Sequence, residues 1–316
     1  MGENDLRTHK LGWIGAGRMG FALAERLLEA GCDVAIYNRT RSKAEPLADK
    51  GGKVVNSPRA LADRDIVFTI VSEDQDFREV TIGPDGVLAQ KAAAPQILID
   101  STTVSANASA EVRRAGEALG TSLLAAPVSG NPSVVRSGKL TLVVSGPKDA
   151  FDTSEPYLDL LGAGCTYVGE GDAARLAKIC HNLMLGVVTQ SLAEITVLAE
   201  KAGLSRSAFL EFLNKSVLGS VFTRYKTPAF VNLDYRPTFT PILLRKDFDL
   251  GLEAARELEV PMPVAALLRE IIQGVIGRGS TDQDFAVMLE HQARASGLEL
   301  EPENIEVSDG LEPDAS

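Results

Sequence analysis

Lys178 and Asn182 have the residue types and the spacing expected of a proton-transfer site. They lie four residues apart in a predicted helix, so both side chains project from the same helical face. Lys178 stands between Ala177 and Ile179, and desolvation or a nearby cation would lower its pKa toward a range useful for proton transfer. The alternative interpretation is a surface lysine whose stem covers apolar neighbours while its amine stays in water.

Hydroxyl groups follow two of the predicted strands. The run Ser101-Thr102-Thr103 comes directly after a strand that ends in Asp100, and the carboxyl ends of parallel strands line the crevice in which ligands bind. Thr103 could instead cap the helix that follows. The second segment, Ser129-Gly130-Asn131, is a turn whose hydroxyl and N–H groups could hold a carboxylate, although alone it would more often be an ordinary turn.

A glycine-rich turn joins the first predicted strand to the first predicted helix. Gly15, Gly17 and Gly20 have the G-x-G-x-x-G spacing, which allows a tight turn, close backbone approach to a pyrophosphate and close helix packing. The diphosphate would bind N–H groups at the positive end of the helix, predicted over Phe21–Ala30. Because a second apolar strand, Val34–Tyr37, follows, the context favours a dinucleotide site over a plain structural turn.

The residues after that second strand indicate which dinucleotide is bound. This position normally carries a carboxylate that hydrogen-bonds the adenosine ribose, but here it reads Asn38-Arg39-Thr40-Arg41. A guanidinium offers phosphate a planar, bidentate fit. We therefore predict NADP(H), with NAD(H) as the less favoured cofactor. The alternative is a solvated, basic start to the next helix with Thr40 as its N-cap, and both could hold at once.

The order of predicted elements indicates an α/β protein with two domains. Short apolar strands alternate with helices through about Val168, which is typical of a mostly parallel sheet covered on both faces. We predict an N-terminal Rossmann dinucleotide-binding domain over residues 1–170 and an all-helical C-terminal domain for substrate binding and dimerisation over 171–297. The substrate would meet the nicotinamide in the crevice between these domains. After the first two, strands are predicted at 53–55, 66–71, 97–100, 122–124, 140–144 and 166–168.

The helical domain is predicted to begin with a long interdomain helix over about 172–202. Thr240-Pro241 is a good helix start, with a hydroxyl N-cap and proline at the first position. The charged triplet Arg245-Lys246-Asp247 is most simply interpreted as an exposed turn of that helix. Further helices are predicted at 207–214, 241–258, 264–278 and 284–295.

Charge and composition narrow the class of protein. Formal net charge is −11, which argues against a nucleic-acid partner. Much of the excess lies in residues 298–316, which hold seven acidic residues and no basic one, so we predict a disordered acidic tail. Three cysteines without C-x-x-C spacing fit a reducing interior, and three scattered histidines supply no metal-binding pattern.

Hydropathy and the N-terminus predict a cytoplasmic protein without a membrane partner. The N-terminus is polar and acidic, which predicts no secretory signal. The most apolar stretch, 183–199, is interrupted by Gln190 and Glu194. We therefore predict a buried helix there, and not a membrane span.

Six segments, taken in chain order, resemble the β-hydroxyacid dehydrogenase family. That family includes 3-hydroxyisobutyrate dehydrogenase, tartronate semialdehyde reductase and the glyoxylate/succinic semialdehyde reductases, and the likeness extends to 6-phosphogluconate dehydrogenase. One such segment would be a weak signal, but their ordered conjunction over Leu11 to about Leu250 is highly specific. The segments are Gly12–Gly20, Asp100–Thr103, Ala126–Gly130, Gly138–Thr141, Lys178–Asn182 and Leu244–Asp247.

The resemblance implies roles for individual residues. Lys178 would be the catalytic lysine and Asn182 would orient the substrate beside it. Ser129 and Gly130, with Asn131, would hold the carboxylate or hydroxyl of the substrate. The predicted cofactor-binding residues are Gly15, Ala16, Gly17, Arg18, Met19, Gly20, Asn38, Arg39, Thr40, Val71, Ser72, Thr103 and Lys246.

Two departures from the family pattern affect the predicted substrate site. The family usually continues the Ser-Gly pair with small residues, whereas this chain has Asn131, Val134 and Val135, which should stiffen and reshape the loop. His181 stands where the family commonly has asparagine. The resemblance therefore defines the type of reaction more closely than the identity of the substrate.

Three functions are compatible with these observations. The first is an NADP-dependent oxidoreductase that interconverts a short 3-hydroxy acid and its semialdehyde, with Lys178 as general acid and base. The second is an imine reductase of the same architecture, whose known members generally lack the lysine. The third is a non-catalytic cofactor-binding assembly module. Apolar helices after about residue 170 also predict a homodimer or homotetramer.

Overall fold

The computed structural model describes residues 8–90 and 93–312. They form two compact units that divide between Lys178 and Ile179, eight residues beyond the predicted boundary at 170/171. The start of the long helix therefore belongs with the first unit. Residues 1–7, on which the prediction of a missing secretory signal partly rests, lie outside the described part of the chain.

Six parallel strands form the sheet of the first unit in the order β3-β2-β1-β4-β5-β6. They are β1 (Leu11–Ile14), β2 (Val34–Tyr37), β3 (Lys53–Val54), β4 (Ile66–Thr69), β5 (Ile97–Asp100) and β6 (Ser122–Ala125). Leu11 of β1 is in register with Val34 of β2 and Ile66 of β4. All four residues of β1, β4 and β5 are buried, as expected of strands covered on both faces.

Helices α1 (Arg18–Glu29), α2 (Asp74–Ile82) and α3 (Ala106–Glu117) follow β1, β4 and β5 respectively. The strand order reverses between β1 and β4, and the carboxyl edge of such a switch point is where doubly wound sheets bind ligands. The predicted α/β class with a Rossmann-type sheet is confirmed.

A separate three-stranded sheet completes the first unit and differs from the prediction of a single sheet. It contains β7 (Val128–Ser129), β8 (Thr141–Val144) and β9 (Cys165–Tyr167), with β7 antiparallel to β8. Helices α4 (Pro132–Arg136) and α5 (Lys148–Leu160) connect these strands. The two residues of β7 are too few for an alternation pattern, so the sequence carries no signal for this pairing.

The second unit is all-helical, as predicted. Its elements are the continuation of α6 (Ala173–Lys201), then α7 (Arg206–Lys215), α8 (Val221–Asn232), α9 (Pro241–Glu257), α10 (Pro263–Gly277) and α11 (Met288–Ala295). Thr240 caps α9 by accepting the N–H of Leu243, which confirms the predicted start. Helix α8 was not predicted, because Pro228 lies in its interior and indicates a break.

The C-terminal segment differs from the predicted disordered tail over its described residues, 298–312. Leu298, Leu300 and Val307 pack against the core of the second unit. The carboxylate of Glu303 accepts the backbone N–H groups of Arg206 and Ser207 at the start of α7. Acidic composition indicates disorder, but a carboxylate at a helix N-terminus is stabilised there. Residues 313–316 lie outside the described part.

One described helix, α6, has the length and hydropathy that a membrane-spanning helix would need. Half of its most apolar stretch is buried inside the protein, however. The prediction of a buried helix is therefore confirmed for only part of this stretch, since Met184 and Leu198 are exposed.

Candidate functional site

The glycine loop after β1 has three glycines with three different constraints. Gly15 has φ of 103°, and a Cβ there would lie 2.1 Å from the carbonyl oxygen of Ile70. A Cβ on Gly20 would lie 2.0 Å from the carbonyl oxygen of Gly15. A Cβ on Gly17 would meet no protein atom within 4 Å. Gly15 and Gly20 therefore permit the loop to pack, whereas Gly17 leaves its outer side open, as a bound diphosphate requires.

Helix α1 begins at this loop with Gly17 as its N-cap, a residue without a side chain to satisfy the first N–H groups. Such groups, at the positive end of a helix, bind phosphate well. Ala16 lies in the loop, Arg18 and Met19 lie in the first turn of α1, and their contact with a cofactor stays a prediction. The residues present fit a dinucleotide.

Asn38 connects the glycine loop to the end of β2. Its Oδ1 accepts the backbone N–H of Ala16 at 2.7 Å, and its Nδ2 donates to the carbonyl oxygen of Thr40 at 2.8 Å. Both ends of the amide are therefore bonded within the protein. Asn38, predicted to bind the cofactor, holds the two segments of the cofactor site together in this structure.

The two arginines after β2 are both paired. Nη1 of Arg39 lies 2.7 Å from Oδ1 of Asp76, and Arg41 bonds to Asn56 and lies 3.3 Å from Glu45. Thr40 occupies the N-cap position of the first of two 3-10 turns, as its alternative interpretation predicted, but its side chain makes no capping bond. The basic side chains belong to a short irregular connection at the edge of the sheet.

The loop after β5 is built around a buried carboxylate. Asp100 is fully buried, and its Oδ1 accepts the hydroxyl of Thr69 at 2.6 Å. Thr102 accepts the backbone N–H of Val71 at 3.0 Å, so this predicted cofactor residue is fixed to the loop, and Ser72 follows it in the chain. The N-cap of α3 is Ser105, and not Thr103 as the sequence had suggested.

Arg175, in the first turn of α6, completes this buried cluster. Its Nη2 donates to Oδ2 of Asp100 at 2.8 Å, and its Nη1 donates to the carbonyl oxygen of Thr102 at 2.9 Å. Since Lys178 follows three residues later in the same helix, these bonds fix the start of the lysine-bearing helix to the end of β5. Arg175 was not predicted from the sequence. Its position among the apolar residues Ala173, Ala174 and Leu176 indicates a buried, paired arginine.

Asp172 extends the same cluster. It accepts the hydroxyl of Ser109 at 2.7 Å and Nη2 of Arg113 at 2.8 Å, and it lies 3.3 Å from Nε of Arg175. Burial opposes its ionisation, but the Ser109 hydrogen bond and the two guanidiniums outweigh burial and lower the pKa of Asp172. Asp172 therefore connects Ser109 and Arg113 of α3 to the start of α6.

The predicted substrate loop lies between β7 and α4. Ser129 pairs with Thr141 in the small sheet, and Gly130 has φ of 143°, a conformation that favours glycine. Oδ1 of Asn131 accepts the backbone N–H groups of Ser133 and Val134, which makes it the N-cap of α4. The structure thus gives Asn131 a capping role, and its contact with substrate stays a prediction.

In the second unit, Asn182 is bonded to Asp247. Nδ2 of Asn182 lies 2.5 Å from Oδ2 of Asp247, and both side chains are buried. Nδ1 of His181 lies 2.9 Å from Oδ1 of Asn182. The interpretation of the charged triplet as an exposed turn was therefore wrong for Asp247, whereas its neighbour Lys246 is half-buried. Asp247 is a polar partner of the predicted site that sequence analysis missed.

The described residues contain no group of three or more His, Cys, Asp and Glu side chains that could hold a metal ion. Of the side chains predicted to contact substrate or cofactor, Lys178 lies on α6, Thr103 lies between β5 and α3, and Ser129 lies in β7.

Two family models cover most of the chain. The NAD binding domain of 6-phosphogluconate dehydrogenase matches residues 10–169, and the NAD-binding domain of NADP-dependent 3-hydroxyisobutyrate dehydrogenase matches residues 171–292. Among curated proteins, the chain is 28% identical to glyoxylate/succinic semialdehyde reductase 2 of Arabidopsis thaliana, over 94% of this chain and 83% of that protein.

Solved structures with the same fold include two enzyme types. A 3-hydroxyisobutyrate dehydrogenase of Mycobacterium tuberculosis, solved with L-serine, is 27% identical with a TM-score of 0.76, covering 90% of this chain and 98% of the other. An imine reductase of Myxococcus stipitatus, solved with NADP+, is 23% identical with a TM-score of 0.57, covering 88% and 98%. The second likeness shows the fold alone.

Proposed function

The chain belongs to the β-hydroxyacid dehydrogenase family, and from that premise we propose that it is an NADP-dependent enzyme interconverting a short 3-hydroxy acid and its semialdehyde. The family and its relatives make it an NAD(P)-dependent oxidoreductase; the substrate, the preference for NADP(H) and the role of the lysine are the proposal. The observation that supports it is the bond between Arg175, in the first turn of α6, and Asp100 at the end of β5, because Lys178 follows three residues later in the same helix.

In this proposal each residue has one task. The ammonium group of Lys178 protonates the oxygen of the substrate during reduction, and its charge stabilises the negative charge that develops there. Ser129 and Gly130 hold the carboxylate of the substrate, and Asn182 orients the substrate while Asp247 fixes the Asn182 amide. Thr103 and Lys246 contact the cofactor. NADP(H), when bound, supplies or accepts the hydride.

An aldehyde panel tests the proposed reaction. Purified enzyme with NADPH is given succinic semialdehyde, methylmalonate semialdehyde, glyoxylate and a cyclic imine, and NADPH oxidation is followed over many turnovers. The proposal predicts turnover with at least one aldehyde acid and none with the imine. Turnover of the imine alone would favour an imine reductase, and the lack of any turnover would favour a non-catalytic module.

Cofactor preference gives the next prediction. Because Arg39 and Thr40 follow β2 where a carboxylate would favour NAD(H), kcat/KM for NADPH should exceed that for NADH by about tenfold or more. Arg39→Ala should remove most of this difference while changing the value for NADH little. Steady-state kinetics with both cofactors measures it, and a clear preference for NADH in the unmodified enzyme would contradict the assignment.

We also propose that the protein is a homodimer or homotetramer. Fifteen of the seventeen large apolar side chains exposed in the described part of the chain belong to the second unit. Among them are Leu198 on α6 and Phe212 on α7, which are 71% and 70% exposed. A concentration of this kind marks a protein–protein interface. A cytoplasmic location stays a prediction.

Light scattering after size exclusion tests the assembly. The unmodified protein should elute at twice or four times the chain mass of 33.6 kDa. Leu198→Glu should lower that mass, whereas Glu257→Lys, which changes charge at an exposed position of α9, should leave it unchanged. A monomeric unmodified protein would overturn the proposal.

A further inference from the structure

Arg39 is held by one specific carboxylate in this structure. Its Nη1 lies 2.7 Å from Oδ1 of Asp76, and the Asp76 side chain is only 16% exposed whereas that of Arg39 is 74% exposed. Asp76 lies in the first turn of α2, where the positive end of the helix stabilises a negative charge. The carboxylate is therefore the buried partner of the pair, and the guanidinium is the exposed one.

The neighbouring acid of the same turn has a different task. Both oxygens of Asp74 bond to Ser105, one to its backbone N–H and the other to its hydroxyl. Asp74 thereby connects α2 to the start of α3. The side chain of Asp76 bonds to Arg39 instead. Its negative charge therefore acts on the segment after β2.

The second arginine of that segment is less suited to compete for the same ligand. Arg41 bonds to Asn56 at 2.7 Å and lies 3.3 Å from Glu45, which begins the next 3-10 turn. Arg39 is thus the guanidinium better placed to reach a ligand. Its donors suit a phosphate bidentately, but one of them is already bonded to a carboxylate.

We propose that Asp76 weakens the binding of the adenosine 2′-phosphate of NADP(H) by competing for Arg39, and so limits the preference of this enzyme for NADP(H) over NAD(H). The inference rests on the proposed NADP dependence. To bind Arg39, a 2′-phosphate must displace the Asp76 carboxylate from the guanidinium or share the guanidinium with it. If the two share it, the negative charges of the phosphate and of Asp76 repel each other. NAD(H) carries an uncharged hydroxyl at this position, so its affinity should depend little on the pair.

Direct binding measurements test the proposal without relying on turnover. Fluorescence gives the Kd values of NADPH and NADH, and calorimetry gives those of 2′,5′-ADP and 5′-AMP. Both are measured for the unmodified protein and for Asp76→Asn. The variant should bind NADPH and 2′,5′-ADP roughly threefold to fivefold more tightly, the upper part of the range for release of a surface ion pair. Binding of NADH and 5′-AMP should stay within about twofold.

Two controls isolate the contact. Glu111→Gln removes the carboxylate of another ion pair, which joins Glu111 of α3 to Arg78 of α2. This change should leave the NADPH to NADH affinity ratio unchanged. In an Arg39→Ala background, Asp76→Asn should lose most of its effect, because the two residues then act as a coupled pair.

The outcomes separate this inference from the proposed function. If the unmodified protein binds NADH as tightly as NADPH, the proposed cofactor preference fails, yet Asp76→Asn must still raise the affinity ratio toward NADPH. The inference is overturned if the unmodified protein prefers NADPH and Asp76→Asn leaves the NADPH to NADH affinity ratio unchanged. It is also overturned if Asp76→Asn changes this ratio by the same factor with Arg39 present and in the Arg39→Ala background.

Discussion

Lys178→Ala is expected to lower kcat by about three orders of magnitude while the Kd of NADPH changes by no more than about twofold. Loss of a positioned proton donor typically costs a hundredfold to ten-thousandfold, and the ammonium charge that stabilises the substrate oxygen is lost with it. The dinucleotide groups that the structure describes, the glycine loop and the segment after β2, do not include this side chain. Stopped-flow kinetics and NADPH fluorescence measure the two quantities separately.

Two further variants make this prediction specific. Lys178→Arg keeps a positive charge but stays protonated at any working pH, so it should recover little of the lost activity if proton transfer is the main task. Lys215→Ala removes an exposed lysine paired with Glu211 on α7, and it should retain full turnover. If Lys178→Ala turned over at near-normal rates, the assignment of this residue would be wrong.

Arg175→Met is expected to destabilise the first unit by about 3–5 kcal/mol. The change leaves Asp100 fully buried without its guanidinium, and removal of one partner of a buried ion pair has effects of this size. Trp13 is the single tryptophan of the chain and is buried in β1 against Phe68. Its fluorescence during urea unfolding therefore reports on this unit.

Controls for Arg175 come from the chain itself. Arg236→Met breaks an ion pair with Asp234 in which the arginine is 88% exposed, and it should leave the unfolding midpoint nearly unchanged. Adding Asp100→Asn to Arg175→Met should restore part of the lost stability, because the uncompensated charge is then removed. Equal unfolding midpoints for Arg175→Met and the unmodified protein would show that the buried cluster contributes little.

Features set by neighbouring residues were predictable from the sequence. The glycine loop, β2 and the start of α9 at Thr240 follow from local spacing, turn geometry and capping. The family likewise follows from short segments in order. Helix α8 was missed because Pro228 outweighs the local signal, although the Ser220 and Thr223 capping box marks its start.

Features set by distant residues were not predictable from local patterns. Arg175 and Asp100 are 75 residues apart, and Asn182 and Asp247 are 65 apart, so no periodicity joins them. The contact of Glu303 with the start of α7 spans 97 residues, which is why an acidic segment was taken for a disordered one. Each of these contacts depends on tertiary packing that brings distant segments together.

The most direct test of the proposed function follows a single labelled hydrogen. NADPH carrying deuterium at the transferable C4 position is incubated with the enzyme and a short semialdehyde, and the product is examined by mass spectrometry and NMR. We predict one deuterium on the carbinol carbon of a hydroxy acid for each NADPH oxidised. Unlabelled product, or oxidation of NADPH with the cyclic imine and with no semialdehyde, would contradict the account.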